Sequence, residues 1–418
     1  MTEKKHLLVI ADAFPPDFAP RMGFLCKNLE KQDDWDVTVV APTVGQKECD
    51  ITFNKTEIHK IDIIKSENKK IARIKWLLVF FQTLLFDKKS LIFTKKAREI
   101  IKGRKFDAIL CSTYYTFPLP TAQKLAEEMN IPFVADLRDI AEEYKENDFF
   151  LHKLPNLCGL EKIIPYIYKK QSVKRRNKAL RKASAVISVS QWHTDTISKY
   201  NPNTHVIYNG YDNEIFIPEE IHTTTFNITH TGRLYNESIR DPKMFFCAIE
   251  KALNDNPEMK KHLSIRWHID EASKLAVMEA TKKHNLEEYT AINGFVKLTE
   301  VPRILNESSI ALVFSNKTEQ NGTKGIMTTK FFEALGCRRP ILCVKSDEAI
   351  LEQTIIKTNS GMAARTVDEA EDFILKKYEE WKQNGCTKQE ANENGFVFSR
   401  SQQAQQYLEL LNRLTEKQ

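Results

Sequence analysis

Residues 321–344 read Asn321-Gly-Thr-Lys-Gly-Ile-Met-Thr-Thr-Lys-Phe-Phe-Glu-Ala-Leu-Gly-Cys-Arg-Arg-Pro-Ile-Leu-Cys-Val344: a polar loop, a short helix, then a buried strand. Gly322 and Gly325 loosen the loop backbone. Thr328 or Thr329 suits the N-cap of a helix that runs to Leu335, and Gly336 is expected to stop it. Pro340 leads into the apolar run Ile341–Val344. A helix opening after such a loop presents unpaired N–H groups and the positive end of its dipole, which seats a phosphate. Lys330 adds a charge in the first turn, and Glu333, three residues on, shares its face and can accept from sugar hydroxyls. Cation, amides and carboxylate in this order suit a nucleotide diphosphate carrying a sugar. The plainer reading is an amphipathic helix with Phe331, Phe332 and Leu335 in the core and Lys330 and Glu333 in water; the stretch alone does not separate the two.

Working outward, a second constellation precedes this one. Thr231-Gly232-Arg233-Leu234 follows the strand Phe226–Thr231, and Arg240-Asp241-Pro242 opens the next helix with proline at its first position. Two arginines thus fall at a strand-to-helix turn, where their fork-shaped donors fit phosphate oxygens. Either one alone could be a structural ion pair. Further strands are expected near Ser264–Ile269, Thr290–Ile292 and Ile310–Phe314, separated by helices near 242–253, 271–283, 301–307, 348–356 and 367–381. Alternating strands and helices predict a parallel, doubly wound sheet.

The first half shows the same alternation. Strands are expected at Leu7–Ala11, Val37–Ala41, Phe106–Ser112, Pro132–Asp136 and Ala185–Ser190, with a short one at Thr204, and helices near 22–31 and 118–129. Asp136, Arg138 and Asp139 come directly at or after a strand end, where side chains point above the sheet, so they are site candidates. Asn213–Thr225, polar and proline-containing, reads as the connector between two domains. The final helix, near 401–416, carries Tyr407, Leu408, Leu410, Leu411 and Leu414 and needs a surface to cover.

At 418 residues, two domains are expected, and 42% hydrophobic with 28% charged content is ordinary for a soluble globular chain. The eight cysteines are scattered with no Cys-x-x-Cys, which points to buried thiols in a reducing compartment rather than disulfides or a zinc site. The opening residues run into the first strand too quickly for a signal peptide, so a cytoplasmic location is expected. The net charge of +6 is uneven. Residues 69–98 place the apolar run Trp76–Phe86 behind a basic lead and ahead of Lys88, Lys89, Lys95, Lys96 and Arg98. That run is too short to span a bilayer but suits its interface; a helix packed on the sheet is the competing expectation, slightly favoured. Residues 160–182 hold nine Lys or Arg against one Glu, interleaved with Ile163, Ile164, Tyr166, Ile167 and Tyr168. No nucleic-acid reader motif accompanies them, so no nucleic-acid partner is expected; peripheral contact with anionic membrane is the functional reading, and a solvated helix that contributes to solubility is the plain one.

Taken in order, Phe14-Pro-Pro-Asp17, Asp136-Leu-Arg-Asp139, Ser188-Val-Ser190-Gln-Trp-His193, Val206-Ile-Tyr-Asn209-Gly210-Tyr-Asp212, Thr231-Gly-Arg-Leu234, Gly294-Phe295-Val296 and Lys330-Phe-Phe-Glu333-Ala-Leu-Gly336 resemble the retaining glycosyltransferases of the GT-B fold, family 4, especially members that assemble bacterial polysaccharides. The resemblance implies an α/β architecture of two Rossmann-like doubly wound domains facing a cleft. It places an acceptor-side domain at 1–212, a nucleotide-sugar domain at 213–395 and a helix at 396–418 crossing back to the first. It implies that Arg233 and Arg240 bind the diphosphate, that Glu333 holds the ribose, and that Lys330 matches a subgroup carrying Lys-x-x-Glu. Gly232, Thr328, Thr329, Asn209, Gly210, Phe295 and Val296 complete the donor side. The family's first glutamate falls at Gly325, and Asp17-Phe-Ala-Pro-Arg21 stands where the family has a glycine-rich loop, with Arg21 as its replacement. Arg233, Lys330 and Asp139 are the catalytic candidates, and Arg21, Asp136, Arg138 and Asp139 face the acceptor.

The expected reaction is retaining transfer of a sugar from a nucleotide diphosphate donor, a co-substrate rather than a cofactor, to a hydroxyl of a glycan or polyprenyl-linked acceptor. No Asp-x-Asp stands at a suitable strand end, so no metal is expected. Two alternatives stay open: a sugar-nucleotide epimerase of the same architecture, and a non-catalytic basic module that binds nucleic acid or membrane.

Overall fold

The structure is a computed structural model that describes residues 4–32, 34–45, 49–64, 68–144, 159–234, 240–316, 327–389 and 393–416. The chain divides into two compact units, one of residues 1–208 with 404–418, the other of 209–403.

The first unit is built on seven parallel strands: β1 (Lys5–Ala11), β2 (Trp35–Pro42), β3 (Glu57–Ile61), β4 (Ala108–Thr113), β5 (Phe133–Leu137), β6 (Ala185–Ser188) and β7 (Thr204–Val206). Their order is β3-β2-β1-β4-β5-β6-β7, so the direction of winding reverses between β1 and β4. β1 is apolar from Leu7 to Ala11 because both of its faces are covered. Leu7, Val9 and Ala11 enter one core, and Leu8 and Ile10 enter the other, as the period of two requires. The last helix, Arg400–Thr415, lays Ala404, Tyr407, Leu408 and Leu411 into the core that holds Leu7 and Val9.

The second unit has six parallel strands in the order β10-β9-β8-β11-β12-β13. They are β8 (Phe226–Thr231), β9 (Leu263–His268), β10 (Thr290–Asn293), β11 (Ile310–Val313), β12 (Ile341–Val344) and β13 (Gly361–Ala364). Here the winding reverses between β8 and β11. Trp267, Phe245, Phe246 and Phe314 fill its core.

Two strands escape the sequence pattern, β3 and β13, and both are edge strands. β3 has only Ile61 fully buried and β13 is Gly-Met-Ala-Ala, so neither carries an apolar run. The helix expected to pack on the sheet near residue 76 does not. Lys69–Phe86 buries only Phe80 and Leu84 among its described side chains, against Ile164 of helix Leu160–Leu180 rather than against the strands. Seven cysteines are free thiols, six of them buried; Cys158 lies outside the described residues.

Candidate active site

In the second unit the site candidates gather at the carboxyl ends of β8 and β11, where the winding reverses and a crevice opens above an α/β sheet. Thr328 caps helix Thr329–Gly336 by accepting from the Lys330 amide, 3.4 Å away, so the amides of the first turn remain at the crevice. Lys330 and Glu333 pair, Nζ to carboxylate 3.0 Å, with Glu333 almost wholly buried. Gly232 makes this possible. Its φ of 119° is in the left-handed half of the map, and a Cβ there would stand 2.6 Å from the Lys330 Cε. The Lys330 stem therefore passes across the β8 turn.

Arg233, 58% exposed, is paired to Asp270 at 3.4 Å. Arg240 reaches back from the foot of helix Lys243–Asp255, donating to the Arg233 carbonyl (2.6 Å) and to Asn316 Oδ1 (3.0 Å) just past β11. Three cations are thus oriented by neighbours on four chain segments, and two of them are held by carboxylates. Beneath them His230 is fully buried, with Nδ1 2.9 Å from the Leu312 carbonyl. Burial, with smaller contributions from Arg240 and Lys330, pushes its pKa down to about 3. It is a neutral floor under a cationic crevice. One strand further along, His268, Asn293, Gly294, Phe295, Val296 and Arg303 line an open cleft of about 520 Å³. The Gly232 amide donates to the His268 carbonyl at 2.8 Å, which ties cleft to crevice.

Asn209 and Gly210 lie beside the 398–400 backbone; the Tyr211 amide donates to the Phe398 carbonyl at 3.1 Å, and a Cβ on Gly210 would meet that same oxygen. Gly336 does not stop the helix, which runs through it to a Cys337 cap; the left-handed residue is Arg338, φ 49°. Gly336 is small because Tyr211 and Phe216 pack against it, with 2.6 and 2.8 Å available to a Cβ. Gly322 and Gly325 lie outside the described residues.

The first unit has its own cluster at the equivalent place, where β1 meets β4. Arg138 bonds Asp12 and stacks 3.7 Å over Tyr114, while the Tyr114 amide donates to Asp12 at 2.7 Å. Asp139 follows, among Glu143, His193 and Arg138. Burial first, then Glu143, raises its pKa from 3.8 to about 7. His193 Nε2 lies 2.5 Å from Glu143 Oε1, and Ser190 caps the helix that carries the histidine.

Arg21 and Asp136, expected to face the acceptor, are core residues. Arg21 is 4% and Asp136 0% exposed; they pair at 3.0 Å, with the Tyr407 hydroxyl donating to Asp136 at 2.9 Å. Burial opposes the Arg21 charge, but Asp136 outweighs it and raises the guanidinium pKa. Arg21 also donates to the carbonyls of Ile207 and Tyr208, so its donors are taken up inside the unit. Asp12, Tyr114, Glu143, Asp270, Asn316 and His230 were not singled out from sequence. Asp12 was visible at the end of the first strand; the others owe their place to segments brought together from far along the chain. Among the described residues, one group of potential metal ligands, Glu220, His222 and Cys386, lies within 4.8 Å, with Glu220 also paired to Lys388.

Residues 23–215 match the family described as Glycosyltransferase Family 4. No curated protein matches the sequence. Among solved structures, sucrose-phosphate synthase from Thermosynechococcus elongatus aligns with a TM-score of 0.63 at 12% identity, over 99% of this chain and 100% of that one. A glycosyltransferase from Rickettsia africae aligns at 0.62 and 13%, over 99% and 100%. HepE from Anabaena, in complex with UDP and glucose, aligns at 0.60 and 15%, over 98% and 100%. The fold is GT-B. Together with the family match over the first unit, the GT-B fold supports a glycosyltransferase.

Proposed function

We propose that this protein transfers a sugar from a nucleotide diphosphate donor to an acceptor hydroxyl with retention of anomeric configuration, in the cytoplasm, during assembly of a bacterial cell-surface polysaccharide. The observation that carries the reading is the crevice at β8 and β11, where Lys330 crosses Gly232 on the turn that carries Arg233, Arg240 is bonded to the Arg233 carbonyl, and Lys330 itself stands at a helix N-terminus. As the bond from the anomeric carbon to the phosphate oxygen breaks, negative charge grows on the leaving diphosphate. Arg233, Arg240, Lys330 and the first-turn amides stabilise that charge without reorganising, which is the chief means of lowering such a barrier. The acceptor oxygen forms its bond on the face the phosphate leaves, and the departing phosphate oxygen takes the acceptor proton. Asp139 orients the acceptor hydroxyl. The cationic set provides the positive charge the leaving group needs, so a metal is not required. The cleft lined by Phe295 and Val296 takes the base, and Glu333 the ribose.

A thermal-shift panel of UDP, GDP, ADP and CMP sugar conjugates tests this. The HepE structure holds UDP and glucose, which makes uridine conjugates the first arm. One cognate donor should raise Tm, and Arg233→Ala and Glu333→Ala should each diminish the rise; Arg233→Ala should leave the unliganded Tm intact, whereas Glu333→Ala should lower it, because Lys330 then loses its buried partner. No response to any conjugate would overturn the reading, and conversion of the donor to its epimer without acceptor would move it to an epimerase. NMR of the product's anomeric proton decides retention.

A further inference from the structure

Helix Lys69–Phe86 turns a long apolar stripe to solvent. Ile71, Ile74, Leu78, Phe81 and Leu85, spaced three and four apart, are all exposed, and Leu85 and Phe86 keep 69 and 70% of their surface in water. On the other side Phe80 and Leu84 pack against Ile164 and Tyr168 of helix Leu160–Leu180, and Arg175 donates to the Leu84 carbonyl at 3.3 Å. That second helix in turn exposes Ile163, Tyr166 and Ile167, followed one turn on by Lys170 and Lys174. Two segments about 80 residues apart in sequence thus converge within one unit. Each adds exposed apolar side chains to that unit's surface.

The charge on the two helices that carry this surface is almost all positive. Helix Lys69–Phe86 contains no acidic residue, and Leu160–Leu180 contains only Glu161. Lys70, Lys170 and Lys174 are exposed. Not every cation of the two runs belongs to it. Arg176 is buried on Glu142, Arg175 is paired with Asp87, and Lys89 lies 3.9 Å over the Phe117 ring. The three-four spacing would also suit a helix from a second copy. Self-association, however, would bring like charges together at the edges of the seam, where a coiled coil needs opposite ones. No helix among the described residues is long and apolar enough to cross a membrane.

We infer that the paired helices Lys69–Phe86 and Leu160–Leu180 form a docking face for an anionic lipid surface, with the apolar stripe entering the headgroup–acyl boundary and the lysines meeting lipid phosphates. The inference stands apart from the donor site and does not rest on the transferase reading.

Co-sedimentation of the full chain with vesicles tests it, comparing phosphatidylcholine alone with a mixture containing phosphatidylglycerol. Binding should require the anionic lipid, weaken with added salt, and fall about tenfold or more in a Leu78→Glu/Phe81→Glu/Leu85→Glu variant, since charge is costly in the interface. These positions are exposed, so the variant should melt at the same temperature and keep its donor response. Absence of binding at low salt, or binding unchanged in the variant, would overturn the inference. So would a solution dimer that the variant dissolves, or binding to single-stranded polynucleotide that outcompetes the vesicles.

Discussion

Arg233 and Lys330 differ in how they are restrained, and that sets what their removal should do. Arg233 is over half exposed and, among the described residues, tethered by Asp270, whereas Lys330 is drawn across Gly232 onto a buried carboxylate. On the proposed donor reading each would make a charge-assisted contact to a diphosphate, so Arg233→Ala and Lys330→Ala should weaken donor binding by about tenfold to a hundredfold, measured by calorimetric titration. Lys330→Ala should also lower stability, because it leaves Glu333 buried without its partner; Arg233→Ala should not. Asp139 makes a separate prediction. Its pKa, raised from 3.8 to about 7, means that the folded chain binds more protons than the unfolded chain between those values. Stability therefore falls as pH rises through that window, and Asp139→Asn should remove the slope in Tm measured from about pH 4 to about pH 8. If the ionised carboxylate orients the acceptor, kcat/KM should rise toward a plateau above about pH 7, and the same variant should lose that limb.

Among the elements, the helix Thr329–Gly336 shows how much of a site can be read locally. Its cap, its apolar face and its Lys330–Glu333 pair all follow from spacings of two to four residues. Its end does not. Gly336 reads as a stop signal, yet its smallness answers to Tyr211 and Phe216, more than a hundred residues earlier. Gly336→Ala should accordingly cost about 1–3 kcal/mol in urea unfolding, an overpacking penalty; at an ordinary helix stop, alanine would cost far less. The helix Lys69–Phe86 is the opposite case. Hydrophobicity suggested burial on the sheet, but helix Leu160–Leu180 supplies only a narrow strip of partner surface, and most of the apolar residues stay outside.

At the scale of the whole molecule, the last helix is part of the first unit's core although it follows the entire second unit in sequence. Tyr407 donates to Asp136, which in turn holds Arg21, and Leu408 and Leu411 pack with Leu7 and Val9. Ending the chain at Gln403 should therefore abolish the cooperative unfolding of the first unit in calorimetry. Asp136→Asn in the full chain should cost about 3–5 kcal/mol, because it leaves a guanidinium buried without its counter-charge. The two sheets, their parallel winding and the turns at Gly232 and Thr328 were legible in the sequence, because buried parallel strands and helix caps are written in runs of a few residues. The fate of each charged residue was not. Arg21 and Arg138 look alike at a loop after a strand, and both end buried, at 4 and 8% exposure; only the packing of distant segments decides that Asp136 holds the one in the core while Asp12 holds the other at the β1–β4 reversal. Local order depends on neighbours in sequence, which the chain displays directly; the environment of a charge depends on neighbours in space, which only the folded structure supplies.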